Sequence, residues 1–197
     1  MEFTTSSESR ELPDRDSQLV PLKQYLAENP DADRGRILRQ IADGIERYHN
    51  VDHMIHGAIK MANVVVDEHG NAHLMKSAAS VPITSQPSTP ATPEERLPMT
   101  SATDIYALGW LTFHVFTDID PQDLARNPKI MSMIASGVKP NRPGLNTLPT
   151  KRGLNDSIWA VLLQCWGISP AARPSITAFL RSFDVPAPAL APKDLQG

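Results

Sequence analysis

The residue types able to do chemistry gather in one short run, Ile55-His56-Gly57-Ala58-Ile59-Lys60-Met61-Ala62-Asn63, which leads into Val64-Val65-Val66. An imidazole, an ammonium and a carboxamide this close together could supply a proton carrier, a phosphate-neutralising cation and an oxygen ligand for a hard metal. The same Lys60 and Asn63 could equally satisfy the hydrogen bonds of an irregular loop. His49, His53, His56, His69 and His73 crowd the stretch and would make a zinc site if they converged, but no zinc-ligand spacing accompanies them. Cys165 beside Trp166 reads as a small core residue, because nothing adjacent would activate its thiol. As the single cysteine, it also excludes an internal disulfide.

Those residues need elements to hold them. Leu19, Leu22, Tyr25 and Leu26 recur at helical spacing and stop near Asn29-Pro30, where proline restricts the residue before it. From Asp33 onward Ile37, Leu38, Ile41, Ile45 and Tyr48 form one stripe of a 3.6-residue period, with Arg36, Arg39, Asp43, Glu46 and Arg47 largely off it. The turn residues Asp67-Glu68-His69-Gly70 separate residues 63–66 from 72–75, which predicts a small β-hairpin. Five prolines in residues 79–100 predict an irregular loop, in or near which Ser85, Thr89 and Thr92 could accept phosphate. Residues 101–117 are apolar nearly all round and predict a helix buried on most sides, capped by Ser101 or Thr103. Helices are expected over 121–136, around Ile158, Leu162 and Trp166, and over 175–183, with a Pro/Gly-rich loop from 140 to 153.

Composition narrows the function classes. The 197 residues, 41% hydrophobic, allow one domain with a real core and no second domain of ordinary size. Lys+Arg 19 against Asp+Glu 22 leaves a net charge of −3, too little positive charge to cover a phosphate backbone, so nucleic acid is not an expected partner. The N-terminus lacks the basic start and apolar core of a signal peptide. The most apolar stretch, 107–117, contains His114 and falls well short of the roughly 20 residues of a bilayer span. An intracellular, cytoplasmic protein without membrane contact is expected.

With its neighbours, the run around His56 resembles the protein-kinase catalytic loop, whose His-Arg-Asp is followed at a fixed distance by Asn and a strand. The His-Gly-Asp-Leu-Lys variant of tyrosine-kinase-like kinases of filamentous fungi is a closer likeness still. Three further segments agree in order: Leu22-Lys23-Gln24-Tyr25-Leu26 is similar to the helix beyond the kinase hinge. Asp104-Ile105-Tyr106-Ala107-Leu108-Gly109 resembles the opening of the central buried helix. Cys165-Trp166 with Pro170-Ala171-Ala172-Arg173-Pro174 resembles the domain's end. The likeness implies that Asp104 fixes the turn at His56 through backbone N–H groups, and that Arg173 pairs with an acidic residue of the Ala-Pro-Glu motif, here Glu94.

It also exposes losses. Phosphoryl transfer needs one Asp to accept the substrate's proton and a second, with Asn, to hold magnesium. The likeness places Ala58 at the first position and Lys76, thirteen residues beyond Asn63, at the second. Ser77 replaces the following Phe. No Gly-x-Gly occurs, and the stretch before the first helix is too short for a β-rich upper lobe.

The sequence therefore predicts a mainly α fold: a protein-kinase-like C-terminal lobe with one small β-hairpin and no N-terminal lobe. A flexible arm is expected at 1–17, the lobe at 18–183 with an activation-segment-like loop at 76–100, and a Pro-rich flexible tail at 184–197. His56, Ala58, Lys60, Asn63 and Lys76 hold the catalytic-loop and metal-motif positions, none expected to be active, with residual phosphate contact conceivable at Lys60, Asn63 and Lys76. Asp104, Arg173 and Glu94 are expected to be structural. The expected function is that of an inactive pseudokinase lobe binding a protein partner on the surface an upper lobe would cover, without cofactor or metal. The alternatives are a truncated tyrosine-kinase-like kinase that transfers phosphate from ATP with magnesium, and a nonfunctional gene remnant.

Overall fold

The computed structural model describes residues 19–83 and 99–184. The expected N-terminal arm, Ser85, Thr89, Thr92 and Glu94, and residues 185–197 of the expected tail lie outside these. The elements run in order β1 (Val20–Pro21), α1 (Leu22–Glu28), α2 (Arg34–Asn50), β2 (Met54–Ile55), β3 (Val64–Val66), β4 (Ala72–Leu74), β5 (Val81–Pro82) and α3 (Ser101–Thr117). They continue with α4 (Pro121–Ala125), α5 (Pro128–Ala135), α6 (Leu148–Lys151), α7 (Asp156–Cys165) and α8 (Ile176–Arg181). The fold is mainly α, as the periodicities predict.

The amphipathic helix α2 begins where Asp33 caps it, its carboxylate accepting the Arg36 N–H at 2.9 Å. Its stripe of Ile37, Leu38, Ile41, Ala42 and Ile45 is buried against α3, α8 and β4. The helix α3 is buried on most sides, as its composition predicts, but the N-cap is Thr100 and not Ser101 or Thr103. The Thr100 N–H donates to Thr103 Oγ1 at 3.1 Å, so Thr103 serves as the third helical residue of a capping box.

The expected hairpin is present as β3 and β4, with Val65 opposite His73. It is one part of a three-stranded antiparallel sheet in the order β1-β3-β4, and a second ladder joins β2 to β5, with Ile55 opposite Val81. The three additional strands are each two residues long, and two of them contain a proline, Pro21 in β1 and Pro82 in β5, which lacks an N–H donor and so fits only an edge. Period-2 reading cannot register so short an element. The loop expected over 79–100 thus contains a strand that ties residue 81 to the run before His56.

The helix expected over 121–136 is two helices. Pro128 forces Asn127 out of the helical region, and the Asn127 side chain then caps α5 by accepting the Lys129 N–H at 3.0 Å. Within the expected 140–153 loop, Leu148–Lys151 forms a single helical turn. Around α3 and α7, Trp110, Phe113, Trp159 and Trp166 pack ring on ring, with Trp110 and Trp166 centroids 4.8 Å apart. Gly109 makes that approach possible: a Cβ there would stand 2.8 Å from Cys165 Cβ and 2.9 Å from Trp166 Nε1.

Two glycine substitutions should therefore act in opposite directions in urea unfolding. Gly109→Ala forces the α3–α7 contact apart and should cost about 1–3 kcal/mol. Gly44→Ala, inside α2 with its nearest neighbour Leu74 Cβ at 3.6 Å, should stabilise by about 0.5–1 kcal/mol. Equal effects would contradict this packing.

Candidate functional site

Asp104 sits in the first turn of α3 with 1% of its surface exposed, and both carboxylate oxygens are engaged. Oδ2 accepts the His56 N–H at 2.7 Å and Oδ1 the Gly57 N–H at 2.8 Å, while His49 Nε2, from the last turn of α2, donates to Oδ2 at 2.9 Å. Three elements thus converge on one anion, which the backbone can neutralise only by turning sharply after β2. Gly57 makes the turn at φ +74°, where a Cβ would lie 2.8 Å from the Ala79 carbonyl oxygen.

The imidazole of His56 is fully buried and points across the loop. Nε2 donates to the Met75 carbonyl at 2.7 Å and Nδ1 accepts the Ala58 N–H at 3.3 Å, a pair of partners that fixes the Nε2–H tautomer. The ring stands edge-on to Tyr48 with centroids 5.0 Å apart. Burial foremost pushes the Tyr48 phenol above its usual range, against its bond to Ser80. Ser80 in turn donates to the His56 carbonyl at 3.3 Å. Asn63 closes the loop from the far side, its Nδ2 donating to the Ala58 carbonyl at 2.7 Å.

The structure therefore brings His56, Ala58, Asn63 and Asp104 together, with Met75 delivering the chain to Lys76. Lys60 and Lys76 are exposed, and neither ammonium has a partner among the described residues. Asp104, the one carboxylate that the described residues place in this loop, is saturated by its donors. Arg173 bonds the Gly167 carbonyl at 2.9 Å and the Ala102 carbonyl at 2.8 Å and lies over the Tyr106 ring at 4.8 Å, anchoring the turn before α8 to the start of α3. Its expected partner Glu94 lies outside the described residues.

The histidines serve separate neighbours. His49 binds Asp104, His56 binds Met75, His73 Nε2 donates to Asp67 Oδ2 at 2.9 Å, and His69 is exposed near Glu68. Among the described residues no cluster of three metal-ligating side chains forms. Asp67 also accepts the His69 and Asn71 N–H groups at 2.9 and 2.8 Å. Burial would raise its carboxyl, but the bonds from His73, Asn71 and His69 outweigh that and hold it at about 2. Burial pushes the Cys165 thiol up to about 12, in keeping with a packing role.

Arg34 escaped the sequence reading, and His49 entered it only as a candidate zinc ligand. Arg34 is almost wholly buried, its Nε donating to the Val115 carbonyl at 2.9 Å and its Nη1 to the Pro30 carbonyl at 2.6 Å. It lies on the α2 stripe with Ile37, Leu38 and Ile41, so its position rather than its type held the signal. His49, four residues beyond Ile45, lies on the same stripe.

A buried carboxylate at the head of a central helix, pinning a His-Gly turn that an Asn closes ahead of a hairpin, defines the lower lobe of a protein kinase. The chain belongs to the protein tyrosine and serine/threonine kinase family, whose model matches residues 18–183. No curated protein gives a significant match.

Removing the anchor should be costly. Asp104→Ala leaves two buried N–H groups unpaired, each worth about 1–3 kcal/mol, so urea unfolding should show a loss of about 3 kcal/mol or more. A loss below about 0.5 kcal/mol would mean that Asp104 does not hold the turn. Asp67 gives a pH signature: its carboxyl is lower folded than unfolded, so its contribution is complete above about pH 4 and disappears as pH falls toward about 2. Urea midpoints of the parent and Asp67→Asn, taken at pH 5 and at pH 2.5, should differ more at pH 5. A constant difference would contradict the assignment.

Proposed function

We propose that this chain is a catalytically inactive, pseudokinase-type lobe, of the tyrosine-kinase-like group and of fungal type, which works by binding another protein. The observation that carries the reading is the chemistry of two positions in an otherwise well-held loop. Ala58 offers a methyl group where phosphoryl transfer needs a proton acceptor, and Lys76 offers an ammonium where it needs a magnesium ligand. An ammonium has no lone pair to offer a divalent cation and repels it, and the Asn63 carboxamide alone would be left as an oxygen ligand. Asp104 cannot stand in for either carboxylate, because its lone pairs already serve His56, Gly57 and His49. Lys60, Asn63 and Lys76 are the residues left to touch a phosphate, and the Asn63 amide is committed to the Ala58 carbonyl.

The binding half of the reading rests on apolar side chains beside the loop. Met75 is 46% exposed next to the carbonyl that His56 holds, and Met99 is 36% exposed against Gly57. Large apolar side chains exposed beside one loop are the raw material of contact sites. Among the described residues no helix is long and apolar enough to cross a membrane. A cytoplasmic partner, a lobe spanning 18–183 and an activation-segment-like loop at 76–100 complete the proposal. Membership of the kinase family favours a second reading, a fragment of an active kinase that gains its upper lobe elsewhere.

Phosphotransfer decides between them. The parent chain and an Ala58→Asp/Lys76→Asp variant, each joined to the upper lobe of a related kinase, are given radiolabelled ATP, magnesium and a general protein acceptor. The expected result is no transfer by the parent and measurable transfer by the variant; equal transfer by both would overturn the inactive reading. In a thermal-shift titration with ATP and magnesium the unmodified chain should show less than about 1 °C of change, since only a ligand that binds the native state raises its stability. Insoluble, protease-sensitive protein would instead favour a nonfunctional remnant.

A further inference from the structure

We propose that Ser169 is a phosphorylation site, modified by a separate proline-directed serine/threonine kinase, and that its phosphate pairs with Arg173. Residues 168–172, in the turn between α7 and α8, form a run of five exposed residues. Among the described residues Ser169 is the one serine or threonine followed by proline, and its hydroxyl has no hydrogen-bond partner there. Pro170 keeps it in extended backbone, at φ −73° and ψ 119°. The other exposed serines nearby are differently placed: Ser132 lies within α5, and the Ser136 hydroxyl donates to the Met133 carbonyl at 2.8 Å.

Pro170 offers no N–H, so an enzyme selecting this step must receive its ring in an apolar contact instead of a backbone hydrogen bond. Straightening the turn for that contact breaks two backbone bonds, from the Ala172 N–H to the Ser169 carbonyl at 3.1 Å and from the Arg173 N–H to the Pro170 carbonyl at 3.2 Å. Both lie in an exposed turn where water replaces them, so local opening costs little. In the transfer the Ser169 Oγ–phosphorus bond forms as the bond from the γ-phosphorus of ATP to its bridging oxygen breaks. The hydroxyl proton passes to the base of the modifying enzyme, and ADP leaves.

The product charge has a receiver. Arg173 Nε donates to the Gly167 carbonyl, two residues before Ser169, at 2.9 Å, which lays the guanidinium against the same turn. Arg173 and Lys139 line a depression of about 320 Å³ bordered by Gly167 and Ile168, and among the described residues no carboxylate lines it. A phosphoserine charge of about −1.5 to −2 would therefore meet uncompensated cations here.

The test is incubation of the whole chain with ATP, magnesium and a purified kinase of the mitogen-activated type, with the modified residues assigned by tandem mass spectrometry. Phosphate should appear on Ser169 of the folded parent and not on Ser132 or Ser136, and Pro170→Ala should slow its appearance at least about tenfold. Ser169→Ala should keep the urea midpoint of the parent, so that loss of the signal reports the site and not the fold. In phosphorus NMR the phosphoserine should titrate at least about 0.3 pH units lower in the folded chain than in denaturing urea, because a neighbouring cation favours the dianion. No phosphate on Ser169, or undiminished modification of Pro170→Ala, would overturn the site. A folded titration midpoint equal to or above the unfolded one would overturn the pairing with Arg173.

Discussion

One buried carboxylate organises this molecule. Asp104 belongs to α3, His49 to α2, and His56 and Gly57 to the loop after β2; the three elements are held to one another because each places a donor on the same two oxygens. An anion at 1% exposure is tolerable only when its hydrogen-bonding capacity is filled, and removing it would strand its donors without water. The hydrogen bonds from backbone N–H groups also make the geometry insensitive to most side chains in the loop. What the site requires is a glycine at the turn and donors at fixed positions.

This division lets the frame of the kinase fold persist largely independently of the side chains its loop carries. Ala58 contributes its N–H to His56 and its carbonyl to Asn63, both backbone groups, so its side chain is free to vary without loss of the turn. Lys76 follows Met75, whose carbonyl is likewise the group that His56 holds. Both positions are thus joined to the scaffold through atoms every residue possesses. Arg34 and Arg173 brace the same helix at its two ends, bonding Val115 and Ala102 carbonyls from opposite directions.

The helices were legible in the sequence because their apolar spacing is long and regular; α2 and α3 fall where periodicity puts them, and so does the β3–β4 hairpin between its turn residues. The Asp104 interaction was legible through the likeness of residues 104–109 and 55–66, which tells more than composition could. The two-residue strands β1 and β5 were not, since a proline in each removes the usual strand signal and only a partner distant in sequence creates the pairing. The break at Asn127-Pro128 and the Thr100 cap were missed for a related reason: a boundary is decided by one residue's backbone preference, which apolar periodicity averages away. Arg34 was passed over and His49 was weighed only as a zinc ligand, although both lie on the buried stripe of α2.

Amide hydrogen exchange at His56 and Gly57 tests most directly whether Asp104 governs the site. The account predicts that these two loop amides exchange as slowly as those in the middle of α2 and α3, opening only when the lobe unfolds. Exchange within about tenfold of an unfolded chain would show that the turn opens independently, and that the carboxylate of Asp104 is not what holds it.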